Sequence, residues 1–413
     1  MKNGWTGGQY SLFRVGFAAY LFVHFAQLIP WGAELFSSAG VLPKASDSPL
    51  IYLFPNVLAM WDGPLVVVGM LVAGVVLSWF FLVGWHDRVA ALLLWYLWGC
   101  LFGRNPLIGN PSLAFVGWLL LAHCCLPAAP YGSWAARQRV DPGGGWHMPT
   151  AIFAVAWVVM ALGYSYSGYT KLISPSWVDG TALARVLDNP LARVSFVRDA
   201  MLALPDWMLR GATWGGLILE LAFAPLALLP RARPWLWTMM LGLHISLIVL
   251  IDFADLSLGM IMLHLFTFDP AWVKSGKAAA TERLFYDGHC GLCHRAVRFI
   301  LAEDARGDAF RFAPLGGEAF NSTVPPLEQA NLPDSLVVCT AEEKLLTRSR
   351  GVLHIMHRLG GYWRILAFVA RPIPAKFLDK LYDGMARIRY RLFPRPSEAC
   401  PLVGPELRKR FDF

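Results

Sequence analysis

Arg283-Leu284-Phe285-Tyr286-Asp287-Gly288-His289-Cys290-Gly291-Leu292-Cys293 reads as a short strand, a turn, and two cysteines one helical turn apart. Apolar residues then recur at Ala296, Val297, Ile300 and Leu301, a spacing that predicts an amphipathic helix running to about Glu303. Cys290 falls at the helix N-terminus, where the macrodipole favours a thiolate. Cys293 is placed to resolve a mixed disulfide. Zinc binding and a plain structural turn are the alternatives for this pair. Zinc needs two further ligands; Cys339, Cys400, His289 and His294 are available, but no second tight pair exists. A cytoplasmic setting keeps both thiols reduced.

Outward from this stretch the composition changes. The chain has 413 residues, of which 56% are hydrophobic and 15% charged; soluble domains carry roughly 25% charged residues. A single soluble domain, a disordered chain and a collagen-like chain are excluded. Residues 1–270 hold 14 Lys+Arg and 13 Asp+Glu, whereas residues 271–413 hold 22 and 15. The split predicts a membrane domain over 1–277 and a basic soluble domain over 278–413. Anionic lipid beside the second domain accounts for its positive balance. No long Lys/Arg run points to nucleic acid.

A spanning helix needs ~20 apolar residues. Stretches at 10–30, 62–87, 88–104, 110–128, 148–168, 211–230, 234–251 and 256–270 qualify or come close. The expected fold is an all-α polytopic membrane bundle of about eight transmembrane helices, with a C-terminal α/β thioredoxin-like domain built on the strand, CxxC turn and helix. Arg88, Arg137, Arg139, Arg231, Arg233, Lys274 and Lys277 fall on one side of such a bundle, so the positive-inside rule puts both termini in the cytoplasm of a bacterial inner membrane. An amphipathic helix is expected around 191–209, lying in the interface.

Ionisable residues inside spans are costly and tend to be functional. Glu220 and His244 lie near the middle of antiparallel spans and are expected to meet, as a structural or a catalytic pair. Lys171 ends the fifth span among Tyr164, Tyr166 and Tyr169. It is read either as a desolvated base or as an amine snorkelling to the interface. His24, His123 and His264 read as satisfied core residues, Arg14 as a charge neutralising the inner end of the bundle, and Cys100, Cys124 and Cys125 as packing residues.

Two resemblances follow. Phe13-Arg14-Val15-Gly16, Ser38-Ala39-Gly40-Val41-Leu42-Pro43, Gly168-Tyr169-Thr170-Lys171-Leu172 with Trp177 and Gly180, Glu220, His244, and Leu256-Ser257-Leu258-Gly259-Met260 resemble the HTTM family, the bacterial relatives of vitamin K-dependent gamma-carboxylase. That resemblance implies Lys171 as the base toward a reduced isoprenoid quinone, with His244 and Glu220 beside it and Tyr164, Tyr169 and Trp177 around the cofactor. The family often has Asn-His opening the fourth span; Asn110-Pro111 here lacks the histidine. Asp287, Cys290 and Cys293, continued by Asp334-Ser335-Leu336, Thr347-Arg348-Ser349, Leu359-Gly360-Gly361-Tyr362-Trp363-Arg364, Tyr382-Asp383 and Arg389-Tyr390-Arg391, resemble the DCC family of thiol-disulfide oxidoreductases.

The sequence therefore implies a membrane enzyme with a quinol-type cofactor and Lys171 as base, fused to a dithiol domain with Cys290 as nucleophile, Cys293 as resolver and Asp287 beside them. The bilayer, a lipophilic cofactor and a secreted peptide or protein are the expected partners, and no metal is expected. The alternative is a non-catalytic membrane module, a transporter or a partner in maturing a secreted peptide, with a regulatory thiol domain.

Overall fold

Helices form at each of the eight apolar stretches: α1 (Gly7–Leu28), α2 (Pro64–Val83), α3 (Asp87–Arg104), α4 (Ser112–Cys124), α5 (Thr150–Lys171), α6 (Asp206–Ala227), α7 (Arg233–Leu250) and α8 (Ala254–Thr267). The structure, a computed structural model, describes residues 3–276, 280–304, 306–393, 396 and 403–412; Lys277 and Cys400 lie outside them. The chain is mostly helical and carries a small mixed sheet near its C-terminus. It divides into two units: 13–126 with 149–268, and 3–12 with 127–148 and 269–412.

Among the described residues, four helices are long and apolar enough to cross a membrane: Gly7–Phe36, Pro64–Val83, Thr150–Lys171 and Arg233–Leu250. Ser112–Cys124 and Ala254–Thr267 are too short by that measure; helices of their length rise about 20 Å, against a hydrocarbon core of about 30 Å. Local sequence sets the ends of α2. Pro64 opens it, where the missing N–H is no loss, and Gly84 closes it at φ 75 with its N–H on the carbonyls of Phe80 and Phe81.

The expected helix at 191–209 is not continuous. Only Phe196–Leu202 is helical, capped by Ser195, and α6 begins at Asp206. Pro205 explains the break, since it disfavours helical backbone at the residue before it. Helices α5 and α6 approach closely at Gly168: a β-carbon there would stand 2.8 Å from the Leu221 nitrogen. Glycine at this point brings the end of α5 against α6 at Leu221.

The second unit is built on β1 (Glu282–Tyr286), α9 (Gly291–Glu303), β2 (Phe310–Pro314), β3 (Val337–Cys339) and β4 (Leu345–Thr347), followed by α10 (Arg348–Leu359), α11 (Gly361–Ala370) and α12 (Ala375–Leu392). The strand order is β2-β1-β3-β4. β1 runs parallel to β2, with Leu284 opposite Phe312, and antiparallel to β3, with Leu284 opposite Val338. Alternation along β1 sends Leu284 and Tyr286 into one core with Val297, Ile300 and Phe310, and Phe285 into another with Phe320 and Val337.

The segment 3–12 is fastened to this unit through Glu303, the last residue of α9. Its carboxylate accepts the Thr6 hydroxyl at 2.5 Å, the Gly8 N–H at 2.8 Å and the Trp363 indole N–H at 2.6 Å. Gln9 in turn accepts the Tyr362 N–H at 3.0 Å. Burial raises the Glu303 carboxyl above its ordinary range, opposed by these donors.

Candidate active site at the CxxC turn

Strand β1 ends at Tyr286, and Asp287 turns the chain into α9. Asp287 does this through its carbonyl, which accepts the Cys290 N–H at 3.2 Å, and its Oδ1, which accepts the His289 N–H at 2.8 Å. Cys290 is the N-cap of α9, and its sulfur accepts the Cys293 N–H at 3.4 Å. A thiol thus fills the place usually taken by a Ser or Asp oxygen. The hydrogen bond from the Cys293 thiol, opposed by burial, draws the Cys290 thiol from 9 down to about 6. The same bond, together with burial, pushes the Cys293 thiol up. Cys290 is thus the more acidic thiol and Cys293 the one that keeps its proton, the asymmetry that dithiol exchange needs.

The turn is held from outside by α12. Arg389 donates to Asp334 at 2.7 Å and to Asp287 at 3.4 Å, and the Tyr390 hydroxyl donates to Asp287 at 2.6 Å. The buried Arg389 guanidinium also favours the Cys290 thiolate by charge. One helical turn or two earlier, Tyr382 accepts the Leu336 N–H at 3.1 Å and Asp383 accepts from Arg348 at 3.0 Å. Short blocks spread over a hundred residues of sequence converge on one turn. Cys290 is covered, while Cys293 borders a cavity of about 190 Å³ lined by Leu292, Leu336, Tyr382, Met385 and Arg389.

Among the described residues, the other proposed zinc donors do not gather here. Cys339 lies in the opposite core layer, His289 is exposed, and His294 bonds the Gly288 carbonyl at 2.9 Å. Among the described residues no three His, Cys, Asp or Glu stand where they could hold a metal.

Residues 284–395, which contain this whole arrangement apart from the start of β1, match the DCC1-like thiol-disulfide oxidoreductase family. Similar proteins include the uncharacterized protein YuxK of Bacillus subtilis, 34% identical over 133 residues, which make up 31% of this chain and 91% of the relative. A chloroplastic DCC family protein of Arabidopsis thaliana is 31% identical over 137 residues, 32% of this chain and 77% of that protein.

The chain belongs to the DCC family.

No solved structure matches it. The DCC match begins at residue 284 and does not extend to the helical unit. There the expected site residues fall into two groups. Lys171 donates to both oxygens of Glu220, at 2.5 and 2.6 Å, and its ammonium lies 4.4 Å from the centre of the Trp177 ring. Glu220 therefore pairs with Lys171, not with His244 as the spacing suggested. His244 instead meets the Tyr164 hydroxyl at 2.9 Å, and that hydroxyl also meets His264 at 2.6 Å. One hydroxyl donates once, so one imidazole accepts from it and the other donates to it. The Nδ1 atoms of both rings have no hydrogen-bond partner among the described residues. Tyr169, expected at a cofactor, is 62% exposed.

His264 read as a plain core residue in the sequence; its place beside Tyr164 depends on α8 returning between α5 and α7, which no local signal announces. The Asp255 carboxylate meets the His24 ring Nδ1 at 2.8 Å and accepts from Asn110 at 2.9 Å and from Tyr20 at 3.1 Å. Asn110 thus has a role in joining helices where the histidine after it is missing. Arg14 is buried and donates to the Phe81 and Leu82 carbonyls at the end of α2, at 2.5 and 3.1 Å. Of the three cysteines expected to pack in the bundle, Cys100 is buried, Cys124 is half-buried, and Cys125 is exposed just beyond α4.

Proposed function

We propose that the chain is a membrane-bound thiol-disulfide oxidoreductase whose DCC domain reduces a disulfide substrate. The Cys290 thiolate attacks one sulfur of the substrate disulfide; a mixed disulfide forms, and the other substrate sulfur leaves as a thiolate and takes a proton. Cys293 then loses its proton and attacks the Cys290 sulfur, releasing the second substrate thiol. Two electrons pass to the substrate with two protons, one from Cys293 and one from solvent, and the Cys290–Cys293 disulfide is reduced again by a cellular thiol. Asp287, Tyr390 and Arg389 hold the turn and its charge. The observation that carries this reading is the Cys290 sulfur at the N-cap of α9, accepting the Cys293 N–H at 3.4 Å in a turn held by Arg389 and Tyr390 through Asp287. The membrane is the bacterial inner membrane, crossed by the long apolar helices with both termini cytoplasmic; the positive loops support this side assignment.

The test is reduction of a dithionitrobenzoate or protein disulfide by the purified full chain. Cys290→Ser loses at least about 100-fold in rate. Cys293→Ser still attacks but stops at a mixed disulfide visible by mass spectrometry. Intact turnover in Cys290→Ser contradicts the proposal.

A second reading concerns the helical unit alone: a quinol-type cofactor with Lys171 as base, as the HTTM resemblance implies. One observation favours it. Trp177, the ring beneath Lys171, also lines a cavity of about 350 Å³ with Leu247, Ile251 and Leu256 among its walls and Ser176, Arg185, Asn189 and Ser257 as its polar members. Mainly aromatic and aliphatic walls fit the ring of a reduced isoprenoid quinone, a hydroquinone that when bound would supply a redox-active hydroxyl to be deprotonated. Lys171 and Glu220 would then hold and pass one proton between them. Titration of a menaquinone analogue quenches tryptophan fluorescence if this holds, and Trp177→Ala removes the saturable component. Absence of saturable quenching leaves the helical unit as a non-catalytic module for transport or for maturing a secreted peptide.

A further inference from the structure

Helix α12 (Ala375–Leu392) carries three distinct faces. Tyr382, Ala386 and Arg389 turn inward to the Cys293 cavity. Phe377, Leu381, Met385, Ile388 and Leu392 recur at helical spacing, and all are exposed, Phe377 to 55%, Leu381 to 58% and Leu392 to 58%. Each of four exposed cations, Lys376, Lys380, Arg387 and Arg391, stands one residue before a member of that stripe, so the cations form a second, parallel stripe beside it. The helix has two acids, both engaged elsewhere: Asp379 accepts the Ser349 hydroxyl at 2.5 Å, and Asp383 pairs with Arg348 at 3.0 Å. None of the four cations pairs with an acid among the described residues. Before α12, Phe368 at 72% exposed, Val369 at 64% and Ile373 at 40% continue the apolar surface from α11, with Arg371 exposed between them.

An apolar face of this extent in a water-facing domain marks an interaction surface. Its chemistry selects the partner. A protein groove would match the apolar stripe but would also need carboxylates placed along the row of cations. A bilayer offers both: acyl chains for Phe377, Leu381, Ile388 and Leu392, and anionic headgroups for the row beside them. We infer that the α11–α12 face of the DCC domain docks on the surface of an anionic bilayer. The chain's own membrane-crossing helices keep such a surface at hand. Met385 belongs both to the exposed stripe and to the wall of the cavity at Cys293. Docking therefore sets the dithiol's cavity beside the lipid phase, where an apolar disulfide or a lipid-borne substrate would reach it. The docking itself stands whether or not the thiols turn over.

The test places the photo-crosslinker p-benzoylphenylalanine at Phe377, at Leu381 and, as a control, at Leu327, which is exposed on another part of the domain. The full chain is reconstituted in nanodiscs of phosphatidylcholine with a quarter phosphatidylglycerol. Lipid adducts are expected at 377 and 381 in at least fivefold excess over 327, falling toward the control level in Lys380→Glu/Arg387→Glu or in pure phosphatidylcholine. Adducts at 377 and 381 no more frequent than at 327 overturn the inference, as do crosslinks that go to a second copy of the chain or to added protein in place of lipid. A circular dichroism spectrum matching wild type separates loss of docking from loss of fold.

Discussion

The helical unit and the DCC domain both bury ionisable groups, and they neutralise them in different ways. In the helical unit opposite charges meet in place: Lys171 with Glu220, and Arg104 with Asp62 at 2.9 Å. Charge in an apolar setting is costly, so each partner exists to cancel the other. In the DCC domain the Arg389 guanidinium is shared among Asp287, Asp334 and the Cys290 sulfur, and part of its field is left to hold a thiolate. Pairing one-to-one stores stability. Sharing one cation among several anions leaves a reactive group poised. The same chemistry of burial thus yields a scaffold in one place and a nucleophile in the other.

The contrast can be strained from either side. The largest loss of stability is expected at Glu303, where a single carboxylate satisfies three donors. Glu303→Ala strands them and should lower unfolding stability by about 2–4 kcal/mol, read as a fall in the thermal midpoint. Because burial raises this carboxyl above its unfolded value, its contribution is fully present below the ordinary glutamate range and declines as pH rises through the raised value. The wild-type advantage over Glu303→Gln should therefore be greater in acid than in alkali.

A smaller effect is expected at the Lys171–Glu220 pair, because Lys171 keeps 23% of its side-chain exposure. Glu220→Ala leaves a half-buried ammonium and should cost roughly 1–3 kcal/mol, less than a fully buried pair. Lys171→Met/Glu220→Leu should regain most of that loss if the pair is a scaffold element alone. Recovery of stability without recovery of any quinone-dependent signal would sharpen the comparison by assigning the pair a second role. The smallest effect belongs to Tyr390→Phe, which removes one hydrogen bond to Asp287 and should cost about 1 kcal/mol. Its exchange rate should fall only a few-fold, because Arg389 still holds the turn.

Legibility followed the range of the interactions. Strand β1, the CxxC turn and α9 lie within about twenty consecutive residues, and their hydrophobic spacing and cysteine positions could be read directly. So could the positions of the eight bundle helices, because apolar runs are local. The partners could not. Which acid meets Lys171 depends on the close approach at Gly168, and which histidines meet Tyr164 depends on how α7 and α8 pack. Arg389 stood in a recognisable motif, yet its contact with Asp287 spans 102 residues and carries no periodic signal. The break before Asp206 was missed because amphipathic spacing outweighed Pro205, whose effect on the preceding residue is steric.

The account rests on Cys290 being a thiolate at neutral pH, and the direct measurement is the pH dependence of its alkylation. The reduced full chain is pulsed with iodoacetamide between pH 4 and pH 10, and modification at Cys290 is followed by peptide mass spectrometry. Only the thiolate reacts, so the rate should rise through a midpoint near about 6 and level off before pH 8, while Cys293 stays unreactive across that span. A midpoint for Cys290 at the ordinary value of about 8.5 or above, or equal titration of the two cysteines, would contradict it.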